Sequence, residues 1–453
     1  MANRRRIVVI FTLGVLCYVS WTLLSGYLGF STVYLQSTKF DVSRYKKGFT
    51  IGNKTHRKYT PFDGSWNSSF VAPQLHPHYD VNCSALVHRD KSVVNQTKKT
   101  LESLRKKGNL VPSNKDVKAF TTNCEDFKRQ RAYPTFARSE EELDYPIAYT
   151  IVAHTTAAQI ERLLRAIYQP QNVYCIHPDA NASLDFQLAV YSLVNCFPNV
   201  FIPSKVEHVQ YRGVTRLLAD INCMKDLLSL PVQWKYVINL CGQDFPLKTN
   251  LEIVQQLKAF KGMNEIQSVT PPPWKVARTE YKFKFLSGYE LPIDTGIRNS
   301  PPPHNIKIYT GNAYGGFARS FVNFVIKDQE AVDLLRWMTY TWSPDENYWS
   351  TLLQHPRATP VWGKGPTERL LVKMMRWGDV DNHPPCDGKY VRGLCIFGVG
   401  YLYHLTAVPH LFANKFYYKY DPICLQCLEQ LLDYRANFPE TVSDFVADFP
   451  VRD

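Results

Sequence analysis

The stretch Ser343-Pro344-Asp345-Glu346-Asn347-Tyr348-Trp349 sets two carboxylates behind a Ser-Pro step and just ahead of two aromatic rings. Pro344 disfavours helix at Ser343, and Ser and Asp beside it suit a helix N-terminus. Asn347 to Leu353 reads as helical, so Asp345 is expected to cap and Glu346 to point out of the first turn. A carboxylate held there beside flat aromatic faces suits a general base that takes a proton from a sugar hydroxyl. From this stretch alone the plainer reading, two acids that only cap a helix, is favoured. The rest of the chain shifts the balance.

Three further polar residues stand at the ends of short apolar runs. Ile147–Ala153 ends at His154, Val173–His177 is closed by Pro178-Asp179, and Tyr236–Leu240 runs into Cys241-Gly242-Gln243-Asp244. Asn199–Ile202 reads as another strand. Between them, Ile160, Leu163, Leu164 and Ile167 recur on one helical face, and Val214 to Leu230 reads as a second helix. Strands alternating with helices imply a parallel α/β sheet. Ligands of such sheets bind outside the carboxyl ends of the strands, so His154, Asp179 and Asp244 are expected around one crevice.

Neither a GxGxxG nor a P-loop is present. The one Asp-x-Asp, Asp379-Val380-Asp381, lies in a Pro-rich loop segment and is read as a chance match. Cys424 and Cys427 form a CxxC with no partner pair or His cluster, so no metal site is expected. A diphosphate bound without metal needs basic side chains. Arg392, enclosed by Cys386 and Cys395, and Lys415, set between aromatics, are the candidate clamp. Lys275 and Arg278 lie in a loop-rich region between two Pro triplets, where binding residues concentrate, and are candidates for an acceptor sugar. The small-residue run Tyr309–Phe317 is read as letting backbone approach a ligand closely.

The 453 residues suffice for one large domain or two medium ones, and 45% hydrophobic content is that of a globular chain. Arg4-Arg5-Arg6 precede an uncharged apolar run over residues 7–30, long enough for a bilayer and longer than a signal-peptide core. The positive-inside rule then makes residues 1–6 a cytosolic tail and 7–30 a signal anchor. Residues 31–80, polar and aperiodic, read as a stem, and 81–453 as a luminal catalytic domain. Sequons at Asn53, Asn67, Asn82, Asn95 and Asn181, and ten cysteines beyond the anchor, agree with an oxidising lumen. The net charge of +13 therefore points to phosphate-bearing substrates or a solvated surface, not to nucleic acid.

Taken together, these blocks resemble the core 2 / I-branching β-1,6-N-acetylglucosaminyltransferase family, glycosyltransferase family 14. The resemblance runs from about Cys83 to about Leu432, through Leu163–Tyr168, Asn172–His177, Ala219–Cys223, Tyr236–Pro246, Ser343–Trp349, Val391–Gly398 and Leu411–Phe416. It implies a type II Golgi membrane enzyme with a GT-A-like, Rossmann-type mixed sheet flanked by helices. The implied reaction moves N-acetylglucosamine from UDP-GlcNAc to the 6-hydroxyl of an acceptor sugar with inversion and without metal. Glu346 matches the catalytic base, and Arg392 and Lys415 the residues that offset the charge of departing UDP. Val152, His154 and Asp179 match uridine-side positions. Gln267, Lys275, Arg278 and Trp377 match acceptor-side positions. The implied disulfides are Cys83–Cys427, Cys124–Cys196, Cys175–Cys223 and Cys386–Cys395. Cys241 matches an unpaired cysteine, and Cys424 either stays free or links two chains.

The departures fall on the acceptor side: Gln267 stands where core 2 enzymes carry Glu, and Gly378-Asp379 follow Trp377 without the usual aromatic. Gly315-Gly316 also replace bulkier residues. Core 2 branching of Galβ1,3GalNAc on mucin-type O-glycans is the first expectation for the acceptor. I-branching on poly-N-acetyllactosamine is the second. The chain is also compatible with an inactive luminal glycan-binding relative, or with an enzyme that transfers xylose or glucuronic acid.

Overall fold

The computed structural model describes residues 75–108, 110–286, 291–358, 367, 370–378 and 385–439. The expected tail, anchor and nearly all of the stem, with Asn53, Asn67 and Asp379–Asp381, lie outside them. The architecture is α/β, a mixed sheet with flanking helices.

Strands β1 (Ile147–Ala153), β2 (Val173–Pro178), β3 (Val200–Phe201), β4 (Tyr236–Cys241) and β8 (Gly316–Ala318) form a sheet in the order β3-β2-β1-β4-β8. The first four are parallel, as expected. The fifth, β8, runs antiparallel at the edge of β4. All seven residues of β1 are buried, the mark of a strand covered on both faces. The register sets Ala153 beside Pro178 and Val152 beside Cys241, so three strands end at one edge. The Asp179 N–H donates to the Ala153 carbonyl at 2.7 Å, carrying the ladder one residue past the strands.

A second sheet pairs β5 (Asp244–Pro246), β12 (Phe412–Asn414) and β9 (Lys373–Met375). Two hairpins complete the strands, β6 (Tyr281–Lys284) with β7 (Ile293–Arg298), and β10 (Lys389–Val391) with β11 (Leu394–Ile396). The helices that matter below are α1 (Lys91–Lys107), α2 (Ala157–Ile167), α3 (Leu184–Val194), α4 (Val214–Ser229), α5 (Pro273–Glu280), α6 (Arg319–Lys327), α7 (Gln329–Trp337), α8 (Asp345–Leu353) and α9 (Pro422–Asn437). Helix α4 packs on β1 and β2, and Leu217, Met224, Trp234, Phe317, Tyr348 and Trp349 share its buried cluster. The motif helix α8 is therefore seated in the core.

The stretch Phe321–Thr341 reads as one helix but forms two and a 3₁₀ turn. Asp328 is extended and its carboxylate accepts the Glu330 N–H, capping α7. A local cap outweighs continued apolar periodicity here. The four disulfides that the resemblance implied are formed, with Cα–Cα distances of 4.9 to 5.7 Å. Cys424, by contrast, is fully buried, and burial lifts its thiol far above the ordinary range. It packs inside α9 as a free thiol, the first of the two outcomes expected for it.

The expected apolar face of α2 is buried, but so is its polar face. Glu161 and Arg162 are buried at 0% and 2% exposure, because the N-terminal segment and α9 cover them. Glu161 accepts from Arg131 at 2.6 Å and Tyr133 at 3.0 Å and pairs with His76 at 2.5 Å. Arg162 is bidentate to Glu429. Burial pushes the Glu161 carboxyl up, but Arg131 and His76 outweigh it and hold the group well below the usual carboxylate range. Removing one member leaves a buried charge unpaired. Glu161→Gln is expected to destabilise the domain by about 3–5 kcal/mol in urea denaturation, and a loss under about 1 kcal/mol would show that this cluster is not a structural tie.

Candidate active site

Two cations converge on Glu346. Lys275 Nζ lies 3.0 Å and Arg278 Nη1 2.9 Å from its Oε2, both from helix α5. Among the described residues Oε1 makes no hydrogen bond, and the side chain is 31% exposed, so one carboxylate oxygen is held and the other has no such partner. The motif is pinned by backbone bonds from three segments. Trp342 N–H donates to the Arg278 carbonyl, Ser343 N–H to the Arg212 carbonyl, and Gly311 N–H to the Glu346 carbonyl, at 2.8 to 2.9 Å.

Glu346 thus leaves the first turn as expected, but Asp345 does not cap. Ser343 sits at φ 49°, Pro344 takes the cap position, and Asp345 becomes the first helical residue. Its carboxyl turns inward at 8% exposure, toward Arg216. The run Tyr309–Phe317 also differs from expectation. The close approach at Gly311 is to protein: a Cβ there would lie 1.9 Å from the Gln267 carbonyl and 2.5 Å from Ser350 Oγ. Gly311 lets the motif helix dock, and Ser350 Oγ donates to that same Gln267 carbonyl at 2.8 Å.

From the acid, an alternation of arginines and rings leads across the cleft. The Arg278 guanidinium lies 5.0 Å from the Trp342 ring and 5.2 Å from Trp274. Arg212 lies 5.4 Å from Trp342 and 5.1 Å from Tyr211, and Arg392 lies 4.2 Å from Tyr211. Such cation–π contacts favour Arg, whose flat fork stacks on a ring and keeps its edge for hydrogen bonding. Arg392 and Gly393 form the two-residue turn of the β10–β11 hairpin, at φ 53° and 79°. Both left-handed conformations are those of a type I′ turn, where Gly is usual at the second place and Arg is unusual at the first. The turn lifts Arg392 off the hairpin toward Tyr211. Trp377 bridges to Leu394 beside the turn, 41% exposed.

The uridine-side candidates gather at the edge where β1 and β2 end. Val152 is 7% exposed, His154 follows β1, and Asp179 follows β2. Asp179 Oδ1 accepts the N–H groups of Asn181 and Val209, each at 2.9 Å. Burial lowers the His154 pKa; Asp179 opposes this, while Lys415 and Arg392 push it further down. Those four side chains therefore share one electrostatic neighbourhood. A cavity of about 930 Å³ opens beside them, lined by His154, Asp179, Asn181 and Ser183, with Ser113 and Lys115 among its other lining residues.

Asp244 does not join them, which corrects the expectation of three strand-end groups around one crevice. It is fully buried, paired with Lys373 Nζ at 2.5 Å and accepting from Asn414 at 2.6 Å and the Cys241 N–H at 2.7 Å. The chain turns straight from β4 into β5, and this tucks the carboxylate back into the second sheet. Among the described residues no group of three or more His, Cys, Asp or Glu is placed to hold a metal ion.

The Core-2/I-Branching enzyme family model matches residues 147–405, a span that holds every candidate site residue except Lys415. The chain belongs to that family. It is similar to the "N-acetyllactosaminide beta-1,6-N-acetylglucosaminyl-transferase" of Homo sapiens, 47% identical over 311 residues, covering 68% of this chain and 77% of that one. It is also similar to the "Beta-1,3-galactosyl-O-glycosyl-glycoprotein beta-1,6-N-acetylglucosaminyltransferase 4" of Danio rerio, 40% identical over 363 residues, covering 78% and 84%. The Mus musculus "Beta-1,3-galactosyl-O-glycosyl-glycoprotein beta-1,6-N-acetylglucosaminyltransferase 3" is 40% identical over 371 residues, covering 79% and 83%. Membership makes this chain an enzyme.

Sequence reasoning missed Tyr211, Arg212, Trp274 and Trp342 in this Core-2/I-Branching enzyme. Each lies in a loop or at an element end, where no periodicity marks a buried or functional face. It also missed the burial of Asp345, which has a measurable consequence. Burial pushes its carboxyl up to about 6, Arg216 works against this, and Glu346 adds to it. Between about pH 4 and 6 the folded state then holds a proton that the unfolded state has lost, so stability falls as pH rises through that window. Asp345→Asn is expected to gain up to about 3 kcal/mol at pH 7.5 and nothing at pH 4. Urea midpoints at the two pH values read this directly, and an equal shift at both would rule the ionisation out as the cause.

Proposed function

We propose that this enzyme transfers N-acetylglucosamine from UDP-GlcNAc to the 6-hydroxyl of a sugar in an N-acetyllactosamine chain, forming a β-1,6 branch. The single observation that carries the reaction is the one-sided hold on Glu346, with Oε2 engaged by two cations and Oε1 without a hydrogen bond among the described residues. The name of the 47%-identical human relative supports the lactosamine acceptor over the core 2 acceptor expected first. The longer matches, at 40% identity, support core 2 branching as the second reading.

In the proposed step the acceptor hydroxyl donates its proton to Glu346 as its oxygen attacks the anomeric carbon. The bond from that carbon to the β-phosphate oxygen breaks on the opposite face, so the α-linked donor yields a β-linked product. UDP leaves with the bonding pair, and Arg392 and Lys415 offset its growing charge. Val152, His154 and Asp179 hold the nucleoside end. Lys275, Arg278, Gln267 and Trp377 line the acceptor end, where two cations exchange part of their hold on Glu346 for sugar hydroxyls. In its expected setting the enzyme is a type II Golgi membrane protein of GT-A-like fold, with residues 7–30 as anchor and the body luminal. Four disulfides and exposed sequons at Asn82, Asn95 and Asn181 suit that compartment.

The soluble body is expected to transfer GlcNAc from UDP-GlcNAc in EDTA, and strict dependence on manganese would count against the Arg392 and Lys415 assignment. Glu346→Gln should lower turnover roughly 10²–10⁴-fold while UDP still binds. A milder loss would place the base elsewhere. Linkage analysis after a screen of poly-N-acetyllactosamine, Galβ1,3GalNAc and GlcNAcβ1,3GalNAc separates the acceptor readings.

A further inference from the structure

Asn181 belongs at once to a glycosylation sequon, Asn181-Ala182-Ser183, and to the wall of the cavity beside His154 and Asp179. The two properties meet in one turn. The Asn181 N–H donates to Asp179 Oδ1 at 2.9 Å, so the residue is tied to the proposed nucleoside-side carboxylate. Its exposed side chain donates from Nδ2 to the Val209 carbonyl at 3.3 Å, and its Oδ1 pairs with His208 Nδ1 at 3.0 Å. A substituted amide keeps one N–H, so modification leaves a donor for such a contact. Ser183 Oγ accepts the Phe186 N–H and caps α3, which fixes where the sequon sits on the cavity rim. The other described sequons differ. Asn82 caps the short helix Cys83–Val87 and Asn95 stands exposed in mid-α1, and neither lines that cavity.

We propose that Asn181 carries an N-linked glycan and that this glycan restricts the donor cavity, so that occupancy at one residue divides the enzyme into pools of different donor affinity. The modification needs a luminal oligosaccharyltransferase and a lipid-diphosphate oligosaccharide. The anomeric carbon of the first GlcNAc leaves its diphosphate oxygen and bonds to Asn181 Nδ2. The amide gives up one proton, and the lipid diphosphate departs with the bonding pair. The oligosaccharide then stands beside Asp179, where it excludes volume from the entering nucleotide and must be ordered when the nucleotide binds. Both effects act on binding, not on the chemical step, so they raise KM for UDP-GlcNAc and leave kcat alone.

The inference rests on the donor reading of this cavity, and the test separates the two. The secreted body is made in cells confined to high-mannose glycans, and occupancy at Asn181 is read by glycopeptide mass spectrometry. KM and kcat for UDP-GlcNAc are then measured before and after endoglycosidase H, which leaves a single GlcNAc on each site. Asn181→Gln and Asn95→Gln are compared with the parent. Trimming and Asn181→Gln should each lower KM roughly three- to tenfold with kcat unchanged, a gain of about 0.7–1.4 kcal/mol in donor binding. Asn95→Gln should match the untrimmed parent. An unoccupied Asn181, or a KM that ignores trimming while turnover persists, overturns this inference alone. Absence of UDP-GlcNAc turnover in every form overturns the donor reading and this inference with it.

Discussion

A carboxylate shared by two cations organises the cleft. Glu346 brings Lys275 and Arg278 to one oxygen, and with Arg212 and Arg392 a few ångströms further along, the region would otherwise be a row of like charges. The rings of Trp274, Trp342 and Tyr211 interleave with those charges, so each guanidinium meets an electron-rich face before it meets another cation. The arrangement suits a polyanion. A nucleoside diphosphate would set negative charge opposite these cations, and a sugar hydroxyl could replace part of the cationic hold on the acid.

Backbone conformation works to the same end. Thr156, Arg212, Ser343 and Arg392 all have positive φ without being glycine, and each borders the cleft or the cavity beside His154. Such residues persist only where their surroundings over-determine them. Here the means are visible. Ser343 is held by its N–H to the Arg212 carbonyl, and Arg392 by the two-residue hairpin turn. The strained positions set the directions of Glu346 and Arg392, the two side chains whose aim matters most for the proposed reaction. The hairpin also ties the two ends of the site together. Trp377 bridges to Leu394, one residue beyond Gly393, so the ring proposed for the acceptor and the arginine proposed for the phosphates stand side by side on one hairpin.

Around this site the fold is held by ties between distant parts of the chain. The Cys83–Cys427 disulfide and the buried His76–Glu161–Arg131 and Arg162–Glu429 groups join the N-terminal segment and α9 to helix α2. The Cys175–Cys223 disulfide joins β2 to α4. Helix α2 follows His154, and β2 precedes Asp179, so these ties also steady the strand ends that carry the uridine-side candidates. The similar proteins carry names of both acceptor types, and the departures from core 2 enzymes at Gln267 and Gly378 fall at positions proposed for the acceptor. That is where two enzymes with one donor would differ.

The sheet is legible from the chain. The apolar runs mark β1, β2 and β4 almost residue for residue, because a buried parallel strand needs nothing but contiguous apolar residues between breaks. The place of Glu346 in the first turn of its helix is legible too, since Ser-Pro ends one conformation and starts another within a single turn. Pairings between distant cysteines come only from the resemblance, and the polar contacts of Asp244 and Asp345 come only from the fold. Both acids follow turn signals that promise exposure, yet Lys373 and Arg216, far along the chain, face them inside the protein. Local sequence specifies where a strand ends or a helix begins, through steric and hydrogen-bonding preferences of neighbouring residues. Whether a carboxylate at that point meets solvent, a substrate or a buried cation depends on segments tens to hundreds of residues away, and only their packing decides it.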